Sequence, residues 1–153
     1  MIVYHPDGKF KIVRDAQLLR EITPQTRLAN GAISLADGLY ESLDRAEFKR
    51  KDILFDKDFS AKETKAHPVW QFVARDETLL GNYVDVMLPE MKREFGYDEA
   101  MGLYLLSTPK EPQARALCVS WLGGRSGLYG GDDLGSDNGH LVGVAPEARG
   151  KVD

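Results

Sequence analysis

The chain has 153 residues, with 24 acidic residues against 20 basic ones and a net charge of −4. That length fits one domain with a real core, and an apolar share of 42% excludes a disordered chain. The acidic balance argues against nucleic acid as the main partner, because phosphate binding needs a basic surface. The single cysteine, Cys118, rules out an internal disulfide and a cysteine-built metal site. The opening MIVYHPDGKF has no signal-peptide pattern, and no apolar run reaches the roughly 20 residues of a membrane helix. The expectation is a soluble chain, cytoplasmic or assembled from the cytoplasm.

Ile2–Tyr4 and Lys9–Val13 read as a hairpin. Pro6 and Gly8 supply turn chemistry, and Lys9 and Lys11 alternate with Phe10 and Ile12. Thr23-Pro24 has the pattern of a helix start, and Asn30-Gly31 either ends a helix or turns a hairpin. Ser34 with Asp37 approximates a capping box, so a helix is expected over 35–50, with Leu35, Leu39, Leu43 and Ala46 on one face. Lys49-Arg50-Lys51 then sits where the helix dipole favours positive charge. Residues 52–66 read as a charged, irregular loop anchored by Ile53, Leu54, Phe55 and Phe59. His67-Pro68 opens a short helix, Asp76 caps a second, Pro89 forces a kink or restart, and Gly96 ends it. Leu80, Val84, Met87, Met91 and Phe95 recur at steps of three and four, and Tyr83 and Leu88 widen the face, so they are expected to form the stripe on which the other elements pack. Strands are expected at 101–107, 114–122 and 140–145.

The residues 123–143 hold eight of the fifteen glycines (Gly123, Gly124, Gly127, Gly130, Gly131, Gly135, Gly139 and Gly143). Glycines let backbone amides converge on an anion, and Arg125 beside Ser126 suits a phosphate or carboxylate. The Walker and dinucleotide patterns are both missing. Asp132, Asp133, Asp137 and Asn138 offer oxygen ligands, but the spacing of a calcium loop is not met. Ser126, Asp132 or Asp133, and His140 follow a hydrolase order without the nucleophile-elbow glycines. The segment therefore reads first as a long loop or arm that packs on another surface, with Arg125, Leu128, Tyr129, Leu134 and Leu141 as its partner-facing anchors. No metal and no cofactor is expected.

Val144-Ala145-Pro146-Glu147-Ala148-Arg149-Gly150-Lys151 resembles the strand-to-helix segment of acetyl-CoA-dependent N-acetyltransferases. In that family, amides at a helix N-terminus hold the cofactor pyrophosphate. The pattern departs at Val152, where the family has glycine. The resemblance implies a degenerate or truncated N-acetyltransferase. It belongs to a wider alternative, a small-ligand or anion-binding enzyme that uses Arg125, Ser126, Asp132, Asp133 and His140.

Together these features predict an α+β fold. Residues 1–122 form the core, and 123–153 form a glycine-rich loop, final strand and polar tail of the same domain. A helical layer (35–50 and 68–95) packs on a small, mainly antiparallel sheet. The expected function is that of a non-enzymatic structural or interaction protein. It would assemble with itself, as a homo-oligomer, or with protein partners, as components of ordered assemblies such as virus particles do.

Overall fold

A computed structural model of the chain describes residues 1–14, 28, 31–34, 44–96, 101–120 and 126–130. The hairpin forms as its alternation demands. β1 (Ile2–Tyr4) and β2 (Lys9–Val13) pair antiparallel, with Ile2 opposite Ile12 and Tyr4 opposite Phe10. Gly8 takes the positive φ of the turn, at 80°. Ile2, Tyr4, Phe10 and Ile12 share one face of the pair and enter the main core.

The helix expected over 35–50 is corrected where the structure describes it. Arg45–Lys49 is β3, antiparallel to β2, and is followed by a single 3-10 turn at Arg50–Asp52. The period-two pattern wins: Ala46 and Phe48 sit opposite Ile12 and Phe10, while Arg45, Glu47 and Lys49 point away. The basic cluster is thus the end of a strand and a turn, not a helix terminus. Residues 35–43 of that expected helix lie outside the described residues. So do Thr23-Pro24 and Asn30. Gly31 does make a turn, at φ 78°, with its amide donating to the Leu28 carbonyl.

The charged stretch 52–66 is also ordered, against expectation. β4 (Lys57–Phe59) leads into helix α1 (Ala61–Ala66). Ser60 and Glu63 form a reciprocal capping box, with Ser60 Oγ accepting from the Glu63 amide at 3.2 Å and Glu63 Oε2 accepting from the Ser60 amide at 2.8 Å. Phe59 is fully buried, and Ile53 and Phe55 pack against the core, but Leu54 is half exposed.

The long apolar block follows its caps closely. His67 and Pro68 open α2 (Pro68–Ala74). The Asp76 carboxylate accepts from the Thr78 and Leu79 amides and caps α3 (Glu77–Asn82). A π turn over Tyr83–Met87 joins α3 to α4 (Leu88–Phe95), which Gly96 ends at φ 72°. The π turn lies just before Pro89. Its widened bonding, Leu88 amide to Tyr83 carbonyl, suits a helix whose next residue cannot donate and would crowd the carbonyl four residues back.

The remaining strands divide between two sheets, where one had been expected. β5 (Met101–Tyr104), β6 (Gln113–Arg115), β7 (Cys118–Ser120) and β8 (Ser126–Tyr129) give the orders β3-β2-β1-β6 and β4-β5-β8-β7. The single strand expected over 114–122 is therefore two: β6 pairs with β1, and β7 pairs with β8. One run of alternating residues serves both sheets because the chain breaks its ladder at Ala116-Leu117 and changes partner. The first sheet is antiparallel throughout, while the second includes one parallel pair, β5 with β8. The fold is α+β. One main core gathers Tyr4, Phe10, Phe59, Val69, Trp70, Leu80, Val84, Leu88, Leu103 and Leu128, and a smaller cluster of Met1, Val3, Val13, Ile33 and Ala114 covers the other face of β1.

Candidate interaction surface

The helical run from Glu77 to Phe95 presents two apolar rows. Leu80, Val84 and Leu88 are buried and hold the run on the main core. Beside them run Leu79, Tyr83, Met87, Met91 and Phe95, spaced by four. Tyr83 and Met91 lean on the core, but Leu79 is 62% exposed, Met87 49% and Phe95 74%. Val86, on the solvent side, is 57% exposed. The stripe expected from sequence is thus corrected at Met87 and Phe95, which face outward, while Leu88, expected to widen that face, is buried with Leu80 and Val84. Leu80, Val84 and Leu88 follow one another at steps of four, while Met87, three residues after Val84 and inside the π turn, falls to the side of them.

The outer row stands on a braced helix. Lys65 of α1 pairs with Asp85 at 2.8 Å, and Arg93 pairs with Glu94 at 2.9 Å and also with Glu90. At its start lie Asp76 and Glu77, and near its end Lys92 and Arg93. Apolar surface of this kind is unfavourable in water.

The residues singled out in the glycine-rich segment separate into two groups. Arg125, Asp132, Asp133, Leu134, His140 and Leu141 lie outside the described residues, as do the strand expected over 140–145 and the segment that resembles the acetyltransferases. Ser126, Leu128 and Tyr129 belong to β8. Leu128 is 1% exposed and is part of this chain's own core, so it is not a partner-facing anchor. Tyr129 stacks on Tyr104, with ring centroids 4.7 Å apart. The reason is local. Gly127 and Gly102 stand opposite each other in the ladder, and a Cβ on either would strike a tyrosine ring, at 2.8 Å from Tyr129 and at 2.6 Å from Tyr104 respectively. Those glycines make room for an aromatic stack within the sheet. Cys118 is half-buried in β7, its thiol 3.6 Å from the Tyr129 carbonyl.

Two buried polar side chains carry more structural weight than their sequence context announces. The Tyr4 hydroxyl joins the two sheets, and His67 locks the α1–α2 corner. A pattern reading assigns Tyr4 to a strand face and His67 to a helix start, and both placements hold; the partners of Tyr4 lie 102 and 126 residues away and that of His67 13 residues away, beyond the reach of a local pattern. Among the described residues there is no group of three or more His, Cys, Asp or Glu side chains able to hold a metal ion, and no helix is long and apolar enough to cross a membrane. No protein-family model, curated protein or solved structure matches this chain.

Proposed function

We propose that the chain is a non-enzymatic interaction protein that associates with a second copy of itself through the outer helical row of Leu79, Tyr83, Met87, Met91 and Phe95. The observation that carries the reading is the exposure of Leu79, Met87 and Phe95 on a helix whose neighbouring row is anchored in the core. A row repeating every four residues is complementary to itself across a two-fold axis. From Leu79 to Phe95 the row extends about 24 Å, long enough for a helix-to-helix contact. With three large exposed side chains leaving water on each copy, the pairing is of moderate strength, on the order of micromolar. It moves the site of assembly from the glycine-rich segment to the helix, because the described part of that segment, β8, is committed to the chain's own core.

The test is the mass in solution of the full chain across a concentration series, with Met87→Lys/Phe95→Glu beside it. The expected result is a dimer for the native chain and a monomer for the double variant, whose thermal melt matches that of the native chain at concentrations low enough for the latter to be monomeric. A native chain that stays monomeric at every concentration reached, or a variant that dimerises equally well, overturns the reading.

A further inference from the structure

Helices α1 and α2 meet at His67, which closes the first and opens the second. The ring is 3% exposed and stacks on Phe59, centroids 4.6 Å apart. Its Nε2 lies 2.8 Å from the Leu54 carbonyl oxygen. A carbonyl only accepts, so Nε2 carries the proton, and in the neutral ring Nδ1 is left with a lone pair. Nδ1 is buried and has no hydrogen-bond partner among the described residues. A second proton would therefore place an N–H, and a positive charge, where no described residue accepts them.

The charged groups on the surrounding elements are engaged elsewhere. On β4, Lys57 pairs with Glu63 of α1 at 2.8 Å, and Asp58 accepts from the Tyr104 hydroxyl at 2.5 Å. Before β4, Asp56 accepts from the Leu105 amide at 3.1 Å. Lys65 of α1 pairs with Asp85 of the π turn, and Lys62 is exposed. β5 brings no charged side chain, and α2 brings none until Arg75, which donates to the Arg14 carbonyl at 3.2 Å. Among the described residues no carboxylate stands ready to receive an imidazolium.

We propose that His67 is an acid-sensitive latch. Neutral, it holds the α1–α2 corner on Leu54 and Phe59; protonated, it leaves its site, and the corner opens in mild acid while the sheets stay paired. Burial lowers the ring's affinity for a proton below that of an ordinary histidine, which agrees with this geometry. The sign follows: the folded corner takes up its proton at lower pH than the opened one, so the closed form is fully favoured above about pH 6.5 and loses ground as pH falls below it.

The test is amide hydrogen exchange on the full chain between about pH 7.5 and pH 5, corrected for the intrinsic pH dependence of exchange. In the native chain the opening constant of residues 60–74 is expected to rise by up to about tenfold per pH unit below about 6.5, with β1 and β2 unaffected. His67→Gln keeps an Nε2–H for the Leu54 carbonyl and does not titrate, so its corner should be flat over the same range. Equal pH slopes in the two proteins, or no slope in the native chain, overturns the proposal. Should His67→Gln fail to fold, the His67 ring in the native chain decides by NMR. The proposal requires the Nε2–H tautomer and a midpoint below that of free histidine, and an ordinary midpoint near about 6.5 overturns it.

Discussion

Replacing Tyr4 by Phe removes one oxygen from the join between the two sheets. The hydroxyl donates to the Gly130 carbonyl at 2.7 Å and accepts from the Leu106 amide at 3.1 Å. Tyr4 is 1% exposed, so water does not replace either bond. The ring remains and no cavity of note opens, so the cost comes from two lost hydrogen bonds and the two backbone groups left without a partner. At about 1–2 kcal/mol for each, the variant should lose about 2–4 kcal/mol. In a chain of 153 residues, a loss of that size lowers the melting temperature by roughly 5–15 °C. Urea unfolding of both proteins measures it directly, through a lower midpoint at constant slope. A second readout comes from alkaline titration. Burial pushes the Tyr4 hydroxyl up to about 12 from its ordinary 10.0. The folded state then keeps a proton that the unfolded chain releases, so native stability falls between those two values as pH rises, and Tyr4→Phe lacks that loss. A penalty under about 0.5 kcal/mol would refute the reasoning. It would mean that Gly130 does not rest on Tyr4, and β8 would lose its claim to the core.

Two further outcomes are expected. Gly102→Ala should cost about 1–3 kcal/mol in chemical denaturation. The new methyl would lie 2.6 Å from the Tyr104 ring and 3.1 Å from the Lys57 carbonyl. Tyr104 is pinned by Asp58 and Tyr129, and a near-neutral result would show that the ring yields. Glu63 should titrate at about 2 by carboxyl NMR, held down first by the Lys57 ammonium and then by the Ser60 amide. Its contribution is present above the ordinary carboxylate value of 4.5 and fades as pH falls toward 2. Lys57→Met should raise the midpoint, and an ordinary midpoint in the native chain would show that the pair does not form.

The caps and turns were legible because their causes are local. Gly8, Pro68, Asp76 and Gly96 each act on backbone groups within a few residues, and each sits where its chemistry required. The α+β class and the N-terminal hairpin followed from periodicity. Periodicity misled where two periods competed: Ala46 and Phe48 fit a strand as well as Ala46 fit a helix, and only β2, with Ile12 and Phe10 waiting opposite, settled the choice. It also misled along the long helix at Met87 and Phe95, which face outward although Met91 between them packs on the core.

Composition alone established a single acidic chain with a hydrophobic core and one thiol. Local pattern added the hairpin, the caps and the proline-marked restart of the helix. Tertiary structure decided that 113–120 serves two sheets, that Leu128 is core, and that Tyr4 and His67 are closed in by partners up to 126 residues away. The difference is one of range. A cap or a turn is chosen by neighbours along the chain, whereas a strand's partner and a buried polar group's acceptor are chosen by whatever the rest of the fold brings beside it.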